Sequence, residues 1–145
     1  MKKIEIHNIH ASIRVVKARL VRLTELVMDQ EDISDFSISV IFVDTKYIVE
    51  LNRQFLNHDY STDVLSFPLN ESVSPLIGEI YVNLDKVEEQ AEDYEVTFDN
   101  ELQRIVIHGL LHLCGYTDDD ESSKKRMTAL EDSYLTLYQK IGQSL

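Results

Sequence analysis

Four glycines, two prolines, one cysteine and no tryptophan occur in 145 residues. A single thiol, Cys114, excludes an internal disulfide and suits a reducing compartment. Glycine and proline are too scarce for a loop-built fold, and no repeat or low-complexity tract is present. No apolar run approaches the roughly 20 residues that a membrane span needs. The opening MKKIEIHNIH has two lysines but no apolar stretch behind them, so it does not read as a secretory signal. The expected location is the cytoplasm. Positive charge is also short, with 14 Lys and Arg against 26 Asp and Glu and a net charge of -12. Such a chain repels nucleic acid at long range. The deficit is uneven: residues 1–24 carry Lys2, Lys3, Arg14, Lys17, Arg19 and Arg22 against Glu5 alone. A locally basic patch on an acidic body is therefore possible.

What is present is enough apolar side chain, 43% of the residues, to bury one core, so a single domain over 1–145 is expected. Lys3–His7 alternates like a short strand. Residues 13–28 read as a helix with Ile13, Val16, Leu20, Leu23 and Val27 on one face and Arg14, Lys17 and Arg22 opposite. The basic face of that helix reads more readily as a solvated surface than as an RNA track. Phe36–Val43 alternates as a strand, and Asp44 or Thr45 can cap a helix carrying Ile48, Leu51 and Phe55. Val64–Phe67 reads as a short strand stopped by Pro68, 70–75 as a turn, and 77–82 as the returning strand. Asn83 can cap a helix using Val87, Ala91 and Tyr94.

Thr97 with Asp99 and Glu101 is a good helix start, because carboxylates in the first turn complement the helix dipole. The helix from about 98 to 114 is apolar almost all round, which predicts a central, buried position. Gly115 is placed to end it in a left-handed turn. A last helix runs from about 121 with Met127, Leu130, Tyr134, Leu137 and Ile141 at core spacing. The order β-α-β-α-β-β-α-α-α predicts an α+β fold, a small mixed sheet of about four strands covered by helices.

Two polar residues interrupt the buried helix. His108 and His112 stand one turn apart on the same face, where two imidazoles can reach one ion. Gly115 lets the chain reverse, and Asp118 can return over that face with a carboxylate oxygen. The unit reads H-G-L-L-H-L-C-G-Y-T-D. Three protein ligands leave a fourth position for water, the pattern of a hydrolytic site. The set suits Zn²⁺ and equally non-haem Fe(II). Taken alone the pair also fits two core histidines bonded to backbone or a buried acid. Helical geometry turns Cys114 about 200° from His112, so it is read as packing and not as a ligand. A peptidase of the HExxH type has a glutamate after its first histidine. Here that position is Gly109, so Glu131, Asp119 and Asp120 are left as candidate bases, or no side-chain base at all if the metal suffices.

H-G-L-L-H-L-C-G-Y, preceded by T-D-V-L-S-F-P at 62–68, resembles the YbeY endoribonuclease family. Leu51-Asn52, Gly78-Glu79-Ile80 and Met127 with Glu131 extend the likeness over about residues 38–135. The resemblance implies a zinc protein that cleaves single-stranded RNA in ribosomal RNA maturation and ribosome quality control, with His108, His112 and Asp118 as ligands. Two departures stand out. The family usually has a third histidine where this chain has Asp118, and an arginine thought to engage substrate phosphate where it has Leu56. Arg53, one turn back, and His58, two residues on, are the candidate replacements. Two other readings stay open at this level: a non-catalytic ribosome-assembly factor with a structural metal, and a zinc peptidase. Strand 62–66 is expected either to line the site as a sheet edge or to serve as a core strand with one polar face.

Overall fold

The computed structural model describes residues 1–57 and 61–144. Nine elements follow in order: β1 (Lys2–Asn8), α1 (Lys17–Gln30), β2 (Phe36–Val43), α2 (Thr45–Leu56), β3 (Val64–Val73), β4 (Leu76–Asn83), α3 (Leu84–Asp93), α4 (Phe98–Leu113) and α5 (Glu121–Ser144). The four strands form one mixed sheet in the order β1-β2-β4-β3, with β1, β2 and β4 parallel and β3 antiparallel to β4. The architecture is α+β, as expected. No helix among the described residues is long and apolar enough to cross a membrane.

Strand alternation decides which face is covered. Phe36, Ile38, Val40 and Phe42 of β2, with Leu76, Ile80 and Val82 of β4, point to one face and are buried. Each such side chain contributes roughly 1.5–3 kcal/mol when fully buried. Helices α1 and α4 pack against this face, and α5 lies across α4. The opposite face is only half-covered, by α2, whose Tyr47 stacks on Tyr81 of β4 with centroids 6.2 Å apart.

Three boundaries differ from the sequence pattern. The first helix begins at Lys17, four residues later than its periodicity suggests. The carbonyl of Ile13 accepts the Asn8 side-chain amide at 2.9 Å, and the backbone N–H groups of Ser12 and Ile13 donate to His10 Nδ1. These bonds commit the backbone of 12–13 to the loop, so Val16 ends exposed while Ile13 still packs on the core. Strand β3 also runs through Pro68, which pairs with Gly78. An edge strand tolerates a missing N–H, and the register becomes irregular beyond that point. The turn accordingly shrinks to Ser74-Pro75. Finally, Phe55 and Tyr94, expected inside, are exposed: Phe55 touches Phe67 from the rim, and Tyr94 lies just past the end of α3.

Helix α4 sits at the centre because of one glycine. A Cβ at Gly109 would lie 2.8 Å from Ile80 Cγ2 and 3.2 Å from Val64 Cγ2. The helix backbone therefore rests directly on β3 and β4, where Ser66 Oγ donates to the Gly109 carbonyl at 3.0 Å. Ser66 and Val64 serve as the inward face of that strand. This packing leaves no room for the glutamate of an HExxH peptidase.

Candidate metal centre

The polar stripe of α4 runs Glu101, Arg104, His108, His112, and apart from the two histidines the helix is apolar or glycine from Ile105 to Leu113. Thr97 caps its start, with Oγ1 accepting the Asn100 N–H at 3.0 Å. The other end closes in a Schellman turn: the N–H of Tyr116 donates to the Leu111 carbonyl and that of Gly115 to the His112 carbonyl, both at 3.0 Å. Gly115 adopts φ 102°, a left-handed conformation costly for a side chain. This turn brings the chain back over the histidines. Asp120 and Ser123 then bond each other reciprocally at 2.7 and 3.1 Å, starting α5. Asp120 is thus committed to a cap, and Asp119 lies beside the same serine.

The two rings meet edge to face, with His108 Nε2 and His112 Nε2 3.0 Å apart. Asp118 Oδ2 lies 3.3 Å from His108 Nε2 and Oδ1 lies 3.5 Å from His112 Nε2. Among the described residues, this is the group of histidine, cysteine and acidic side chains whose donor atoms converge, all within 4.8 Å. The tautomers follow from the partners on the other ring nitrogen. His108 Nδ1 faces Glu131 Oε2 at 2.7 Å, and His112 Nδ1 faces the Tyr116 carbonyl at 3.0 Å. Carbonyls and carboxylates only accept, so both Nδ1 atoms donate. Both Nε2 lone pairs then point at the same space as the Asp118 carboxylate. Three Lewis bases with no donor among them fit a cation.

The field is consistent with this. Burial opposes a charged His108 ring, yet the Glu131 hydrogen bond and charge outweigh it and raise the pKa. A site that attracts a proton in this way attracts a metal ion by the same charge. The site also has depth without closure: the His108, His112 and Asp118 side chains are 25%, 28% and 38% exposed.

Of the other sequence candidates, Glu131 adjoins this centre. Glu131 is buried behind the His108 ring, on the side away from the convergent Nε2 atoms, and its second oxygen accepts from Arg104 at 3.0 Å. Arg104 also reaches Asp132 at 2.6 Å. Arg53 is exposed on α2 and bonds Glu50 at 2.8 Å. His58 lies outside the described residues. Burial pushes the Cys114 thiol up to about 12, with the Glu31 charge adding to it, so it is an inert thiol packed beside the core. Sequence reasoning missed Arg104 and Glu31. Arg104 was accessible, one turn before His108 on its face; Glu31 carries no local signal.

A family model described as Endoribonuclease YbeY matches residues 3–139. The Endoribonuclease YbeY of Flavobacterium psychrophilum is 41% identical over 112 residues, covering 77% of this chain and 79% of that protein. The Endoribonuclease YbeY of Salinibacter ruber is 36% identical over 140 residues, covering 91% and 89%. Among solved structures, the solution structure of TM1509 from Thermotoga maritima superposes with a TM-score of 0.69 at 36% identity, covering 97% of this chain and 92% of that one. With motif, fold and matched length in agreement, the chain belongs to the Endoribonuclease YbeY family.

Proposed function

We propose that this protein is a metal-dependent, single-strand-specific endoribonuclease acting as one domain over residues 1–145. We assign the metal to His108, His112 and Asp118, as one Zn²⁺ per chain. The observation that carries this is the convergence of the two Nε2 atoms and a carboxylate on one point. The closest separations, 3.0, 3.3 and 3.5 Å, are the size of the roughly 3.3 Å between ligands of a tetrahedral ion with bonds near 2.05 Å. Membership of a family named for endoribonuclease activity supports RNA as the substrate. Ribosomal RNA maturation and ribosome quality control are the role the family resemblance implies, with the cytoplasm as the location expected from the sequence.

His108, His112 and Asp118 would hold the zinc ion, which would supply Lewis acidity for phosphodiester cleavage. The chain's own residues prepare for it. Glu131 and the Tyr116 carbonyl hold the two rings in the donor tautomer. Asp118 adds a negative charge, so the centre is a weaker Lewis acid than three neutral imidazoles would give. We assign Glu131 to orienting His108, because its carboxylate faces Nδ1 and not the convergence point. Leu56 brings no cation to the phosphate, and Arg53 is the described candidate for that contact. Structural zinc sites are closed by four protein ligands, whereas three partly exposed donors favour a reactive one.

The test pairs metal content with RNA cleavage. Wild-type protein should carry one zinc per chain and cut a fluorescent single-stranded RNA, and His112→Ala and Asp118→Ala should lose both properties. Gel analysis of the new ends separates the chemistries, since a 2′,3′-cyclic phosphate requires attack by the 2′-hydroxyl. Zinc-loaded wild type that leaves RNA intact, together with variants that still support ribosome assembly, would favour the structural-metal reading instead.

A further inference from the structure

The turn that delivers Asp118 is held by a carboxylate from the far end of another helix. Glu31, just past α1, accepts the hydroxyl of Tyr116 at 2.8 Å on one oxygen and that of Tyr134 at 2.5 Å on the other. Tyr134 is buried on α5, and Tyr116 is half-buried in the turn after α4. A carboxylate only accepts, so both hydroxyls donate to it. Arg126 places its guanidinium 5.1 Å from the Tyr116 ring centroid.

The two tyrosines differ in one respect. The main chain of Tyr116 is part of the centre: its N–H is committed to Leu111, and its carbonyl accepts from His112 Nδ1 at 3.0 Å. Tyr134 uses its hydroxyl on the same carboxylate but makes no bond to a donor residue among the described residues. One carboxylate thus ties one tyrosine that orients a ring and one that does not.

We infer that Glu31 is a positioning residue for the metal centre. By anchoring the Tyr116 side chain it holds the Tyr116 carbonyl against His112 Nδ1, which keeps Nε2 aimed at His108 and Asp118. The inference rests on the metal-centre reading above. A histidine ligand's affinity depends on the bond at its other nitrogen. Here that bond is made by a turn residue whose ring is tied to a helix 85 positions away in sequence.

Zinc titration against a chromophoric chelator, with thermal unfolding in EDTA alongside, tests this on wild type, Glu31→Ala, Tyr116→Phe and Tyr134→Phe. Glu31→Ala and Tyr116→Phe should weaken zinc binding by about tenfold, the scale of lost partners behind a ligand. Tyr134→Phe should lower the unfolding temperature yet keep zinc affinity within about twofold of wild type, since its hydroxyl reaches no ligand. Cobalt(II) spectra should change in the first two variants and not in the third. Unchanged zinc affinity in Tyr116→Phe and Glu31→Ala, or an equal loss in Tyr134→Phe, would reduce Glu31 to a packing role. A wild type that binds neither zinc nor cobalt would instead overturn the metal-centre reading, and this inference with it.

Discussion

His10 and the His108–His112 pair use the same ring in opposite ways. His10 Nδ1 accepts the backbone N–H groups of Ser12 and Ile13 at 3.2 and 3.0 Å, so its Nε2 is the donor, to Asp85 Oδ1 at 2.7 Å. Every polar atom of that ring is spent on the fold. In the pair on α4, Nδ1 donates to Glu131 or to the Tyr116 carbonyl, and the Nε2 lone pairs face each other beside a carboxylate. A structural histidine and one proposed as a ligand are distinguished here by where the acceptor nitrogen points, and burial does not separate them: the His10 side chain is the more buried, at 8% exposed. Asp85 and Asp118 differ in parallel. The first receives donors from His10 and the Thr45 N–H, while the second meets two rings whose facing nitrogens have none to give.

The sharpest way to break this contrast is to remove one ring of each kind. His112→Ala should abolish stoichiometric zinc and RNA cleavage with little change in metal-free stability. His10→Ala should cost about 1–3 kcal/mol of stability, the scale of a lost buried hydrogen bond with partners left unpaired. Its zinc content should be intact. Loss of zinc in His10→Ala, measured by elemental analysis, would dissolve the distinction.

A smaller effect is expected one bond further out. Glu131→Gln keeps an acceptor for His108 Nδ1 but removes the charge that favours a bound cation, so zinc affinity should fall by roughly 10–100-fold. Chelator competition reads this directly, and an unchanged affinity would show that Glu131 serves only the ion pair with Arg104.

The smallest effect concerns pH. Burial raises the Asp85 pKa, but the bonds from His10 and the Thr45 N–H outweigh it, leaving the carboxyl below its usual 3.8. A carboxylate held low in the folded state stabilises the fold above its unfolded pKa, and that contribution is lost as pH falls through the folded value. Asp85→Asn should therefore be less stable than wild type near neutral pH, and the gap should close in acid below the ordinary carboxylate range. A gap that stays constant down to pH 2 would remove the electrostatic part of this account.

Much of the fold was legible because it rests on local pattern. The alternation from Phe36 to Val43 gives β2 with the bounds it has in the fold, and the Thr97 cap and Gly115 turn bracket α4 to within a residue. The His108–His112 spacing and the reversal toward Asp118 were also readable, since one helical turn and one left-handed glycine define them. What was not legible depends on partners distant in sequence. The start of α1 was displaced by side-chain bonds from Asn8 and His10, which no periodicity encodes. Pro68 misled because edge position is a property of the sheet. Glu31 stands 85 residues from Tyr116 and 103 from Tyr134, and only the packing of α1 against α4 and α5 brings it there.

A crystal of the purified protein, with anomalous diffraction recorded on both sides of the zinc edge, tests the central assignment most directly. The account predicts a single strong peak per chain, bonded to Nε2 of His108, Nε2 of His112 and a carboxylate oxygen of Asp118. A map without a peak there, or with the Asp118 carboxylate turned to solvent beside a metal held by other residues, would contradict it.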